Sequence, residues 1–267
     1  RALDYPWDKW TVFLHPAQRQ LVEKDYTGPA RVTGSAGTGK TIVALHRAVH
    51  LAKENPDSRI LLTTFSETLA NALSGKLRCL ISGEPRLAER LDVESISSVG
   101  KRLYKVHVGE PKLASRNDVQ ALLSEASAGI EDFRFSSRFL LGEWNDVVDA
   151  WQLDSWEDYR DVKRLGRKTR LPEAQRVRLW QVFAAVKEGL AQKGLQTQAE
   201  MLSKLARVMV ERNHPPYEFC VVDEAQDISV AQLRFLAALG GDRPNSLFFA
   251  GDLGQRIFQT PFSWKSL

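Results

Sequence analysis

Hydrophobic positions along the chain come in two rhythms. Short segments at residues 30–33, 59–64, 91–96, 219–222 and 247–250, the last two wholly apolar, predict strands. Between them apolar residues recur at helical spacing. Leu14, Leu21 and Val22 do so behind Pro16, then residues from about 39 to 54, then Leu69, Ala70, Leu73 and Leu77, and later residues 230–239. Strands alternating with helices predict an α/β fold, a parallel sheet with helices on both faces. From about residue 101 to 194 the strand rhythm vanishes. Leu179, Val182, Phe183, Val186 and Leu190 mark one helix there; Met201, Leu202, Leu205, Val208 and Met209 mark another that Pro215-Pro216 stops. The pattern therefore predicts a discontinuous sheet domain, residues 1–100 with 195–267, interrupted by an all-helical insertion at 101–194.

Composition narrows the class. At 267 residues, 43% apolar and 26% charged, the chain is globular and long enough for a core without disulfides or metals. The widely separated Cys79 and Cys220 have no metal-ligand spacing and are expected to be buried thiols in a reducing compartment. No run approaches the roughly 18 apolar residues of a membrane span, and no leader pattern opens the chain. A cytoplasmic, nucleoid-associated protein with no membrane partner is expected. The start at Arg1 and the end at Phe262-Ser263-Trp264-Lys265-Ser266-Leu267 suggest a piece of a longer protein.

Charge refines the choice of partner. The 37 Lys and Arg against 33 Asp and Glu leave +4, with a pI of about 9.1. Between Arg160 and Arg178 eight cations meet only Asp161 and Glu173, a local +6 that leaves the rest of the chain at −2. This stretch, with Arg164, Arg167 and Lys168 at its centre, is either a surface that tracks nucleic-acid phosphates or a solvated helical face. Trp144, Trp151, Trp156 and Trp180 are likewise either stacking platforms or core.

The chemistry-bearing motif is Gly34-Ser35-Ala36-Gly37-Thr38-Gly39-Lys40-Thr41, which fits G-x-x-x-x-G-K-[ST]. Its glycines let consecutive backbone N–H groups face a phosphate at a helix N-terminus. Lys40 would reach the β- and γ-phosphates, and the Thr41 hydroxyl would bind Mg²⁺. A strand ending in acids supplies the complement: after residues 219–222, Asp223 would hold the Mg²⁺ and Glu224 would orient and deprotonate the attacking water. Together these segments predict a P-loop ATPase.

Four further segments carry a family resemblance. Asp223-Glu224-Ala225-Gln226-Asp227 resembles the acidic motif of superfamily 1 helicases of the UvrD/Rep type. Gly251-Asp252-Leu253-Gly254-Gln255-Arg256-Ile257-Phe258 resembles their G-D-x-x-Q-x-I-[YF] motif. Residues 14–22, with Gln18 and Gln20, resemble the adenine-reading glutamine motif, and Thr64-Phe65-Ser66 the motif that contacts single strands.

The resemblance implies a RecA-like ATP-binding half of a DNA helicase or translocase, moving 3′ to 5′ on single-stranded DNA or at a single-strand/duplex junction. It implies that Gln18 bonds the adenine edge, that Gln255 touches the γ-phosphate, and that Gln226 links the acidic and glutamine motifs. Phe65 would stack on a base, a contact of ~1–3 kcal/mol, unless it is core. The chain departs from the family at three places. Ile42 stands where many relatives have Arg, Glu94-Ser95-Ile96-Ser97-Ser98 replaces a T-F-H-S-like motif, and Thr260 replaces a stacking Trp, with Phe262 and Trp264 just beyond. Relatives also have a second RecA-like domain whose arginines complete the site. Its absence here predicts ATP·Mg²⁺ binding with poor hydrolysis and no unwinding. The alternative function is a nucleotide-gated regulatory or binding module, or an RNA-directed relative.

Overall fold

A computed structural model of the chain describes residues 12–35, 37–131, 133–162, 171–212 and 215–252. These fall into two compact units. The first comprises the described residues up to 102 with 206–228 and 232–252; the second comprises those from 103 to 205 with 229–231.

The first unit opens with helix α1 (Pro16–Glu23), which Pro16 starts and the His15 side chain caps. Strand β1 (Ala30–Thr33) follows and leads through the glycine-rich turn into α2 (Lys40–Glu54). Next come β2 (Ile60–Thr64), α3 (Glu67–Leu80) capped by Ser66, the short α4 (Pro85–Ala88) and β3 (Leu91–Ser95). Helix α5 (Ile96–His107) leaves β3, and the boundary between the units falls within it.

The second unit holds α6 (Arg116–Ala128), α7 (Ser137–Glu143) running into a π-helical turn (Trp144–Asp149), α8 (Trp156–Asp161) and α9 (Glu173–Gln192). Helix α10 (Gln198–Arg212) contains the return boundary. The sheet resumes with β4 (Phe219–Val222), a 3₁₀ turn (Ala225–Asp227), α11 (Val230–Gly240) and β5 (Leu247–Gly251).

All strand pairs are parallel, in the order β1-β5-β4-β2-β3. The fold is α/β, a RecA-like P-loop architecture. Period-two alternation divides the strand residues between faces. Ile60, Leu62, Val221, Phe248 and Ala250 join a core with Val43, Leu45 and Ala48 of α2 and Leu73 and Leu77 of α3. Cys220, Leu247 and Phe249 are equally buried but lie outside that cluster. On Gly240 of α11 a Cβ would come within 2.3 Å of the Leu247 side chain, so this glycine permits close packing of helix on strand. Every predicted strand is present, within a residue or two of its expected ends.

The helical unit has its own core. Leu179, Val182, Phe183, Val186 and Leu190 form the buried stripe of α9, facing Val119, Leu122 and Leu123 of α6 and Leu140 and Trp144. A Cβ on Gly189 would sit 2.6 Å from Leu122, so α9 and α6 approach closely there. Trp144 is buried, and Trp151, Trp156 and Trp180 pack against the same cluster, with Trp180 stacked on Tyr159. Of the two readings the sequence left open, the four tryptophans thus follow the core one.

The cysteine expectation is corrected in one respect. Both thiols are free, and Cys220 is buried, with burial pushing its thiol up to about 12, but Cys79 is exposed on α3. Among the described residues no helix is long and apolar enough to cross a membrane.

Candidate nucleotide-binding and hydrolysis site

Parallel strands bring their carboxyl ends to one edge of the sheet, where α/β proteins place their ligands. The turn after β1, the turn after β4 and the residues following β5 all emerge there.

The turn after β1 is held by its own polar groups. Gly37 and Gly39 both adopt φ of 80°, the left-handed region that glycine enters without strain. A Cβ on Gly34 would lie 2.6 Å from Thr38 Oγ1, and that hydroxyl donates to Ser35 O at 2.8 Å. Lys40 Nζ donates to Gly34 O at 2.8 Å and Ser35 O at 2.9 Å, so the ammonium lies across the loop. Ala36 lies outside the described residues.

Gln18 reaches this loop from α1. Its Nε2 donates to Thr38 O at 2.7 Å, and its Oε1 accepts from His15 N at 3.3 Å. A Cβ on Gly39 would come within 3.1 Å of Nε2, so glycine there lets the amide lie against the loop. A glutamine amide has two N–H donors and two acceptor lone pairs. One donor and one acceptor therefore remain for a nucleobase edge.

At the end of β4, Asp223 is 4% exposed, and its N–H continues the ladder by donating to Thr63 O at 2.8 Å. Burial pushes its carboxyl up to about 6; a hydrogen bond from the Thr41 hydroxyl opposes the rise, and the neighbouring Glu224 charge reinforces it. Thr41 opens α2 and Asp223 ends β4, so this contact joins the phosphate loop to the acidic strand end. Two hard oxygen donors beside the loop match what Mg²⁺ requires, since this ion takes one or two carboxylates and keeps its other sites for water and phosphate. Among the described residues no cluster of three or more His, Cys, Asp or Glu could hold a metal by itself. The oxygen pair and the glycine cradle fit Mg²⁺ and a triphosphate.

Glu224 has φ of 52°, an uncommon conformation for a side chain larger than glycine. It turns the backbone into the 3₁₀ segment, and the Gln226 side chain then spans two motifs. Gln226 Nε2 donates to the Glu224 carboxylate, and its Oε1 accepts from Asp252 N at 2.9 Å. A Cβ on Gly251 would lie 2.7 Å from Gln226 Oε1 and 3.0 Å from Ala225 N, so only glycine allows this approach. The phosphate loop, the acidic pair and the start of the glutamine motif thus share one site.

The chain matches the family model of the UvrD/REP helicase N-terminal domain over residues 14–261. It belongs to that family. No curated protein matches it. Membership makes the chain the motor half of a helicase of this family in general terms, with the ATP-dependent activity the family implies.

Other expected residues stand apart from this constellation or outside view. Phe65 is half-buried at the end of β2, where Ser66 caps α3. Ile42, where relatives carry Arg, packs against the core of the sheet unit. The Glu94-to-Ser98 segment is internally bonded: Ser95 Oγ accepts from Ser98 N, and Ser98 Oγ donates to Glu67. Gln255, Arg164, Arg167 and Lys168 lie outside the described residues. At the flanks of the basic stretch, Arg160 is paired with Asp161, and Arg176 donates to Arg160 O.

Two residues that the motifs do not flag stand out. Arg47 on α2 is fully buried and donates to the side chain of Asn245, which has φ of 61° and stands two residues before β5. Arg47 was legible as a charge at the apolar spacing of Val43 and Leu51. Its partner, 198 positions away, was not.

Proposed function

We propose that the chain is the ATP·Mg²⁺-binding motor half of a DNA helicase or translocase that couples ATP hydrolysis to 3′-to-5′ movement on single-stranded DNA. The observation that carries this reading is the Gln226 side chain, which bonds both Glu224 of the acidic motif and the Asp252 backbone of the glutamine motif.

Lys40, released from the loop carbonyls, would take the β- and γ-phosphates, while the backbone N–H groups of residues 34–39 face the phosphate oxygens. Thr41 and Asp223 would hold Mg²⁺. Held by these two residues, the ion would supply positive charge against the charge that develops on the phosphates. Glu224, its carboxylate oriented by Gln226, accepts the proton of the attacking water. Gln18 selects adenine with its free donor and acceptor. Gln226 links the proton acceptor to the backbone of the glutamine motif, so loss of the γ-phosphate at Gln255 would be felt at Glu224. Phe65 and the basic residues Arg164, Arg167 and Lys168 are the proposed DNA contacts.

The test is the affinity of the chain for ATP with Mg²⁺, measured with and without single-stranded DNA and RNA oligonucleotides. Tighter ATP binding with DNA supports the reading. A response to RNA alone would move the chain to the RNA-directed alternative, and none to either would move it to a regulatory module. In the DNA arm, neutralising Arg164, Arg167 and Lys168 together should flatten the log–log salt dependence by about two units. An unchanged slope would remove them from the interface.

A further inference from the structure

Helix α1 is a weakly anchored element. Of its eight residues only Val22 is buried. Yet this helix carries Gln18 at its N-terminal end, so the position of the base-reading amide depends on what holds the C-terminal end.

The last-turn carbonyls of a helix have no partners within it. Here side chains supply them. Arg47 Nη1 donates to Val22 O at 2.5 Å and to Lys24 O at 2.8 Å, while Tyr26 OH donates to Leu21 O at 3.0 Å. Arg47 Nη2 donates to Asn245 Oδ1 at 2.7 Å. The same Oδ1 accepts from Tyr26 N at 2.8 Å, and Asn245 N donates back to Tyr26 O at 3.0 Å. The guanidinium lies 5.1 Å from the Tyr26 ring centroid and 5.6 Å from that of Phe248. A cation at a helix C-terminus is also favoured by the helix dipole. Arg47 stands on α2, two turns after Lys40 of the phosphate loop. One fully buried group therefore ties α1, the phosphate-loop helix and the start of β5 together.

We propose that Arg47, with Asn245, is a positioning residue for nucleobase selection: it fixes α1 against α2 and so sets where Gln18 meets the base, without touching nucleotide itself. The proposal rests on the reading of Gln18 as the adenine contact. Its physical content is a docking equilibrium. If α1 is docked for only a fraction of the time, the apparent affinity of any ligand that needs Gln18 falls by that fraction. A nucleotide held through its phosphates alone is unaffected. Loss of the clamp should therefore lower ATP affinity and leave GTP affinity nearly unchanged.

The experiment titrates ATP and GTP, each with Mg²⁺, into the full chain and its Arg47→Met, Arg47→Lys, Asn245→Gly and Gln18→Ala variants. Hydrogen exchange of the α1 amides is followed in parallel. Glycine at 245 keeps the left-handed φ and removes only the side chain. Wild type should prefer ATP, and Gln18→Ala should lose the preference. Arg47→Met should lower the ATP-to-GTP ratio about tenfold, with GTP binding within about twofold of wild type and faster exchange in α1. Arg47→Lys, which keeps the charge, should recover part of the ratio, and Asn245→Gly should lose part of it. A wild-type ratio in Arg47→Met overturns the clamp while leaving the adenine reading intact. If Arg47→Met does not fold, a wild-type ratio in Asn245→Gly has the same force. Equal affinities of the wild-type chain for ATP and GTP would overturn the adenine reading and the clamp with it.

Discussion

The sheet unit and the helical unit bury polar groups for different purposes. In the sheet unit Arg47, Thr63 and Asp223 are buried at or beside strand ends, and each ties one element to another. In the helical unit the interior is aromatic and aliphatic, with Tyr159 set edge-on to Phe183 and stacked on Trp180. Its buried Glu143 is bonded by the Tyr159 hydroxyl. The first unit uses its core to aim side chains at one edge; the second uses its core to hold itself together.

Replacing Glu224, the proposed proton acceptor, should separate the units most sharply. Glu224→Gln keeps the hydrogen bond from Gln226 possible and is expected to lower any DNA-stimulated ATP turnover by roughly 10²–10⁴-fold, with ATP binding retained. A phosphate-release assay beside an equilibrium titration measures both; full turnover would remove Glu224 from the chemistry. Phe183→Ala attacks the other unit. Truncating a fully buried phenylalanine costs about 3–5 kcal/mol, so denaturant unfolding should show a helical unit lost first, with ATP affinity unchanged. A parallel loss of nucleotide binding would show that the units are one cooperative body.

Smaller effects sharpen the contrast within each unit. Gly251→Ala forces a Cβ against Gln226 Oε1 and Ala225 N, and it should cost about 1–3 kcal/mol. Turnover should fall further than stability explains, because Gln226 no longer holds Glu224 in place. In the helical unit, Asp149 ends the π-helical turn and lines a cleft of about 350 Å³ with Arg116, Trp144 and Thr197. Burial pushes its carboxyl up to about 6, opposed by hydrogen bonds from Thr197 and Gln152. Because the folded state holds this proton more tightly than the unfolded one, the stability that Asp149 contributes should be fully present in acid and should be lost as pH rises from about 4 to 6. Asp149→Asn keeps the acceptor oxygen and should flatten that part of the profile in thermal melts from pH 4 to 8. An unaltered slope would assign the pH dependence elsewhere.

The elements of the sheet were legible because β2, β4 and β5 are built on short apolar runs, β1 and β3 alternate apolar with polar residues, and the helices between them carry apolar stripes. The phosphate loop and the acidic pair were legible because local backbone geometry dictates their residue types. What sequence could not show was pairing across distance. Nothing local places β5 beside β1, joins Arg47 to Asn245, or draws Gly251 against Gln226. The helical unit was legible as helical, but its tryptophans had two readings until Trp144 and Trp180 were found packed on Phe183 and Tyr159. The π-helical turn left no mark in the pattern, since one added residue per turn within α7 and its continuation barely disturbs an apolar stripe.

The strand order has a consequence for how the protein is made. Strand β1, which ends in the phosphate loop, pairs only with β5 among the described residues, Ala30 opposite Phe248 and Thr33 opposite Gly251. A growing chain emerges from the ribosome N-terminus first and must therefore export more than two hundred further residues before this strand finds a neighbour. Contacts that distant form late and slowly. During synthesis the loop that would hold ATP hangs on an unpaired strand until β5 has emerged.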